Sequence, residues 1–195
     1  MNKYEFTKYL IDCYQIDTSS VLDVGCRDGI LKQYLPENIT YYGIDVSDES
    51  KCDEIVDISQ KTTFADNQFR LLIALDVAEH TDNIYASILE MLRIANTCII
   101  ALPNMYNIGM RYRFLKGQPL CDKYSLSIKN AISGGYRHRW LFTPKEAIQF
   151  IENIAKKNGR SIKFHYHYPA LKVPLKYLKN IFSPNLMSEA IYFIL

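Results

Sequence analysis

No charge of one sign dominates this chain: 23 Lys and Arg face 21 Asp and Glu over 195 residues, a net charge of +2. Near balance argues against a polyanion held by bulk charge alone. No apolar run approaches transmembrane length. No N-terminal apolar stretch resembles a signal peptide, because Glu5 and Lys8 interrupt the first helical segment. The five cysteines (Cys13, Cys26, Cys52, Cys98, Cys121) lack paired zinc-ligand spacing, and their odd number without a leader fits reduced thiols and a cytoplasmic location. Internal repeats, low-complexity tracts and linkers are also missing, so residues 1–195 read as one domain with a substantial core.

What is present centres on Ser20-Val21-Leu22-Asp23-Val24-Gly25-Cys26-Arg27-Asp28-Gly29-Ile30-Leu31. Apolar residues precede the turn, and Ile30, Leu31, Tyr34 and Leu35 follow at helical spacing, which predicts strand, glycine turn and helix start. Such a turn aims backbone N–H groups at one spot and makes a small-molecule site. A dinucleotide fingerprint needs glycines at its first, third and sixth positions, where this chain has Gly25, Arg27 and Ile30. The acid-x-Gly-x-Gly-x-Gly pattern of S-adenosylmethionine (SAM) sites fits better, with Asp23, Gly25 and Gly29 matching and Arg27 departing. An acid there suits a ligand with ammonium and sulfonium charges better than one with a pyrophosphate. The alternative is an ordinary strand-to-helix turn using glycine for its positive φ.

The segment Tyr41-Tyr42-Gly43-Ile44-Asp45-Val46-Ser47 reads as a second strand ending in a carboxylate. Asp45 lies twenty residues after Gly25, the spacing at which an acid meets ribose hydroxyls in a βαβ nucleoside site. Its two oxygens can accept both O–H bonds of a vicinal diol. Taken alone, Asp45 reads better as a capping Asp at a loop start; beside Asp23, Gly25 and Gly29 it reads as the ribose acid.

With these motifs the chain resembles a class I SAM-dependent methyltransferase, of the Methyltransferase-11/23-like kind. Glu54-Ile55-Val56-Asp57-Ile58 resembles that family's third strand, Phe69 to His80 its fourth strand with the following Glu-His, and Thr97 to Asn104 its fifth strand with a Pro-Asn ending. The likeness covers residues 18 to 104. It implies an α/β, Rossmann-like fold: a mostly parallel seven-stranded sheet, helices on both faces and an antiparallel last strand. It implies SAM as cofactor, S-adenosylhomocysteine (SAH) as product, and cofactor contacts at Asp23, Gly25, Cys26, Arg27, Gly29, Asp45, Val46, Asp57, Ile58, Leu75 and Asp76. Arg27, where the family has Gly, must point away from the cofactor or narrow the pocket. Cys26 is read as a small buried residue rather than a nucleophile.

Beyond the motifs, residues 2 to 15 and Asp82 to Ala95 carry helical periodicity. Thr143-Pro144-Lys145-Glu146 predicts a capped helix start, and Gly159 its terminator. Ser161 to His167 and Ala190 to Leu195 are the expected last strands. Residues 105 to 140 hold Arg111, Arg113, Lys116, Lys123, Lys129, Arg137 and Arg139 against Asp122 alone, net +6, leaving the rest at net −4. Tyr106, Tyr112, Phe114, Tyr124, Tyr136 and Trp140 interleave with them. A long segment at the carboxyl end of a sheet reads as a substrate cap. Its charge points to a small or carrier-linked, anionic acceptor, and the bland alternative is a solvated basic loop. Tyr136 to Thr143 resembles a segment of methyltransferases encoded with bacterial surface-polysaccharide genes, which implies a sugar-containing acceptor. An RNA methyltransferase and a non-catalytic SAM-fold binding protein are the alternatives. No nucleic-acid partner is expected, since no RNA-binding module is recognisable.

Methyl transfer to a hydroxyl calls for a general base, and His80 and His138 are the candidates; His165 and His167 share a strand face and read as structural. Asp76, Glu79 and His80 resemble the Glu-x-x-Glu-His that holds a divalent metal in some quinone-pathway O-methyltransferases and RNA 3′-end methyltransferases. The expectation is no metal, with those three as the alternative set. Leu171 to Phe182 mixes basic and apolar residues and reads either as a membrane-surface segment or as a connection packed on the sheet.

Overall fold

The centre of the sheet follows from runs that are apolar on both sides of the pleat, as expected for buried parallel strands. In the computed structural model, which describes residues 1–48, 50–119, 137–168 and 183–195, Leu71 to Leu75 and Cys98 to Leu102 are buried without interruption. In chain order the elements are α1 (Lys3–Tyr14), β1 (Ser20–Val24), a 3₁₀ turn (Ile30–Tyr34), β2 (Thr40–Asp45), β3 (Glu54–Ile55), β4 (Phe69–Leu75), a second 3₁₀ turn (Ala78–His80), α2 (Ile84–Ile94), β5 (Ala95–Pro103), α3 (Ile108–Leu115), α4 (Pro144–Lys157), β6 (Lys163–His167), α5 (Pro184–Met187) and β7 (Ala190–Ile194).

Seven strands form one sheet in the order β3-β2-β1-β4-β5-β7-β6. The ladders from β3 to β5 are parallel, and β7 runs antiparallel to both β5 and β6. This is the α/β, Rossmann-like arrangement expected from the sequence, with its antiparallel last strand. The chain winds outward from β1 to β3, then returns to the other side of β1 as β4. A crevice opens at the carboxyl ends of β1 and β4, where ligands bind in such sheets.

Alternation along the strands divides the core. Leu22, Val24, Leu72, Ala74, Cys98, Ile100 and Phe193 pack against Ile84, Ile88 and Met91 of α2 and Ala147, Ile151 and Ile154 of α4. Val21, Leu71, Ile73, Leu75, Ile99 and Tyr192 pack against Phe6, Leu10 and Ile11 of α1. Both faces are therefore covered by helix. Capping boxes start α1, through Asn2 and Glu5, and α4, through Thr143 and Glu146 with Pro144 at its first position. Gly159 follows α4 with φ +65.

Two expectations are corrected. The helix start after the glycine turn is a 3₁₀ turn, not an α-helix. Leu35 precedes Pro36, and a pre-proline residue is driven to extended geometry; its φ is −100 and ψ 160. The third strand stops at Ile55 rather than Ile58. Asp57 Oδ1 accepts the Ser59 N–H at 2.9 Å, and this side-chain turn diverts the chain. The predicted cap at 105–140 lies partly outside the described residues, as does the whole Leu171–Phe182 segment. Among the described residues no helix is long and apolar enough to cross a membrane.

Candidate functional site

The glycine turn is fastened to β2. Gly25 N–H and Cys26 N–H both donate to the Ile44 carbonyl, at 2.8 and 3.1 Å. Asp45, at the end of β2, accepts the Arg27 N–H on Oδ2 (3.1 Å) and the Ser47 N–H on Oδ1 (3.0 Å). The carboxylate is thereby fixed against the turn, with acceptor capacity left on each oxygen. Gly25 has φ +74, and a Cβ there would stand 2.5 Å from Val77 Cγ2. Arg27 takes φ +49, a left-handed conformation that costs an ordinary residue about 1–2 kcal/mol. Asp76, after β4, takes φ +60. Two such residues facing one crevice is the distribution expected of a functional site.

A cavity of about 380 Å³ fills that crevice, within the size range of small-molecule sites. Of the predicted cofactor residues, Gly25, Cys26, Arg27, Asp45, Val46, Asp57, Ile58, Leu75 and Asp76 line it, and so does His80. Asp23 and Gly29 are not in the lining. Asp23 is buried within β1, and its Oδ2 accepts the Tyr41 hydroxyl at 2.7 Å. Burial pushes its carboxyl up to about 7, while the Tyr41 bond pulls the other way. Gly29, at φ +67, shapes the backbone before the 3₁₀ turn. Cys26 is buried and its thiol is pushed up to about 12, chiefly by burial, as suits a packing residue and not a nucleophile.

Sequence reasoning missed Lys3. The first turn of α1 carries it to the cavity wall, where its Nζ meets Asp76 Oδ2 at 3.0 Å. Asp76 raises the Lys3 pKa against the opposing effect of burial. Nothing local marks Lys3, since its partner lies 73 residues away. Arg139 also reaches the lining and pairs with Asp82 at 2.8 Å.

A second cavity, about 970 Å³, adjoins the first across Lys3 and Asp76, which line both. Its walls come from Met1–Lys3, Pro103–Met105, Asn107–Met110, His138, His167 and residues of α5 and β7 such as Met187 and Tyr192. Asn104, the Asn of the predicted Pro-Asn ending, braces it: its Nδ2 donates to the Asn185 and Ser188 carbonyls at 2.9 and 3.0 Å. Two of the basic residues expected to face an acceptor make bonds within the chain. Arg111 Nε donates to the Tyr106 carbonyl and Arg113 Nε to the Pro119 carbonyl.

The histidines divide. His165 Nε2 lies 2.7 Å from the Tyr14 hydroxyl and His167 Nε2 3.1 Å from the Met1 carbonyl, so both tie β6 to the α1 side. His80 and His138 meet: their ring centroids are 4.6 Å apart, at 89°. His138 was expected among cations with a solvent-facing alternative; its side chain is instead 4% exposed, 3.9 Å from Glu79 Oε1. The alternative metal set Asp76, Glu79 and His80 does not assemble as written. Asp76 turns to Lys3, and the ligand-type atoms that gather within 4.8 Å of one another belong to Glu79, His80 and His138.

Known proteins share the fold. A SAM-dependent methyltransferase from Archaeoglobus fulgidus superposes with TM-score 0.59 at 15% identity, over 98% of this chain and 93% of that one. The methyltransferase domain of bacterial-CtHen1-CN gives 0.61 at 18% identity, over 99% and 97%. The plantazolicin methyltransferase BamL, solved with a triazolic desmethylPZN analog and SAH, gives 0.61 at 14% identity, over 98% and 81%. At such identities the likeness is one of fold. No curated protein matches the chain. The model of one family matches from residue 8 to residue 194, and the chain accordingly belongs to the family described as methionine biosynthesis protein MetW.

Proposed function

We propose that this chain is a SAM-dependent methyltransferase that methylates a hydroxyl of a small or carrier-linked, sugar-containing acceptor. The observation that carries the reading is Asp45, fixed by two backbone N–H groups in the wall of a cavity that Gly25, Asp57 and Asp76 also line. Asp45 offers acceptors for a ribose diol, Asp57 for an adenine amino group, and Asp76 a carboxylate for an ammonium. The donor set thus fits SAM, and the absence of a dinucleotide glycine pattern fits NAD poorly. Relatives of the same fold include one solved with SAH.

SAM supplies a methyl group already activated on sulfonium. The protein's part is then to hold the acceptor oxygen in line and keep water out. The two cavities meet at Lys3 and Asp76, which sets an acceptor in the larger one beside the smaller. His80 lines the first and His138 the second, which sets both imidazoles beside an acceptor hydroxyl held between the cavities. The +6 charge of residues 105–140 favours an anionic acceptor. The second cavity itself mixes Lys3, His138 and His167 with Asp76, Glu79 and Glu189, which suits a neutral sugar portion of that molecule. Engagement of Arg111, Arg113 and Arg139 within the chain favours such a molecule over RNA. Equilibrium dialysis with radiolabelled SAM tests the cofactor. About one equivalent retained, displaced by SAH and not by NAD, is the expected result; displacement by NAD would overturn the reading.

A further inference from the structure

The geometry points to a site for a first-row divalent transition cation, built by Glu79, His80 and His138 at the junction of the two cavities. Three observations support it. The first is convergence: His80 Nε2 and His138 Nε2 lie 3.8 and 3.9 Å from the same oxygen, Glu79 Oε1. Ligands around one zinc ion, with bonds of about 2.0–2.1 Å, stand roughly 3.3 Å apart, so side-chain shifts on the order of 1 Å close the set.

The second is orientation. His80 Nδ1 lies 3.0 Å from the Arg137 carbonyl. A carbonyl can only accept, so that nitrogen carries a proton, and Nε2 is the ring nitrogen turned to Glu79 Oε1. A metal-binding histidine uses its other ring N–H in this way. The backbone holds the parts together as well: Arg139 N–H and Trp140 N–H both donate to the Glu79 carbonyl, at 2.9 and 3.2 Å, and Trp140 Nε1–H donates to the Thr81 carbonyl at 2.8 Å. The 137–140 strip is thus clipped to the 3₁₀ turn that carries Glu79 and His80.

The third is environment. The Glu79 side chain is fully buried, with His138 at 4% and His80 at 17% exposure. A buried carboxylate is stabilised by positive charge between itself and its neighbours. Two imidazoles and one carboxylate select zinc, manganese, cobalt or iron over magnesium and calcium, which favour all-oxygen shells. Three protein ligands leave coordination positions open, as in catalytic metal sites. Glu79 and His138 line the larger cavity, so those positions face the acceptor. Only this last role rests on the methyl-transfer reading.

The test titrates chelator-stripped full-length protein with ZnCl₂, MnCl₂ and CoCl₂, read by calorimetry, metal analysis and visible Co²⁺ absorption without cofactor. About one equivalent per chain is expected. Glu79→Gln and His138→Ala each lose it, while Asp76→Asn keeps it; circular dichroism melts confirm that each variant is folded. A readout free of variants runs beside them: Zn²⁺ shields His80 from diethyl pyrocarbonate, mapped by peptide mass spectrometry. Absence of stoichiometric binding, equal His80 modification with and without Zn²⁺, or binding that survives in the folded Glu79→Gln/His138→Ala double variant overturns the proposal. SAM retention in the dialysis experiment is independent, so either idea can fail alone.

Discussion

The two adjoining cavities share a wall at Lys3 and Asp76 yet are built by opposite means. The smaller is mainly a local construction. Residues 24 to 30 and 45 to 59 supply much of its lining, and its key contacts are backbone N–H groups bound within one βαβ-like unit. The larger draws on chain segments from both ends of the sequence, joined by side chains such as Asn104, whose partners lie more than 80 residues away. A turn that must bind a common cofactor part can be written in a short motif. A wall assembled from distant segments has no such signature.

That contrast can be broken in order of size. Gly25→Ala strikes the smaller cavity hardest, since its new Cβ meets Val77 Cγ2 at 2.5 Å and φ is +74. A loss of about 3 kcal/mol in urea unfolding is expected; wild-type stability would show that the turn tolerates a side chain. Asn104→Ala strikes the larger one. It leaves two carbonyls, of Asn185 and Ser188, without this donor and costs about 2 kcal/mol, with SAH affinity unchanged. A matching drop in SAH affinity would show that the cavities are not separable in this way.

Asp23 gives a pH-dependent effect, at most about 1.4 kcal/mol for each pH unit. Its carboxyl sits near 7 in the folded chain against 3.8 as the ordinary value. The folded state therefore holds the proton more tightly than the unfolded one. The stability Asp23 adds is complete below 3.8 and is lost as pH rises through about 7. Unfolding free energies measured at intervals from acid to neutral pH should fall with a slope that Asp23→Asn flattens; identical slopes would place the proton elsewhere. Smallest is Gly29→Ala, with φ +67 but open space for a Cβ. About 1 kcal/mol is expected from backbone strain alone, and a cost equal to that of Gly25→Ala would contradict the distinction drawn between the two glycines.

Legibility in the sequence followed the same divide. Apolar runs gave β4 and β5, capping signals gave α1 and α4, and glycine spacing with Asp45 located the smaller cavity. Asp23 illustrates a limit: its position in the motif placed it in the cofactor site, but the Tyr41 hydroxyl and the burial of β1 make it part of the sheet. Lys3 and His138 show another. Each reaches the crevice through tertiary packing, across 73 residues to Asp76 and 59 residues to Glu79, and periodicity carries no trace of such pairings. The Asp-x-x-Glu-His spacing suggested one grouping of ligand-type residues. The left-handed backbone at Asp76 and the reach of Lys3 produced another.

The central claim is that Asp45 and the Gly25 turn form a SAM site. Calorimetric titration of the full-length chain with SAH, beside Asp45→Ala, tests it most directly. Stoichiometric binding is predicted, weakened roughly 100-fold, or about 3 kcal/mol, when the carboxylate that organises the turn is removed. No heat of binding at millimolar SAH, or equal affinity in the variant, would contradict it.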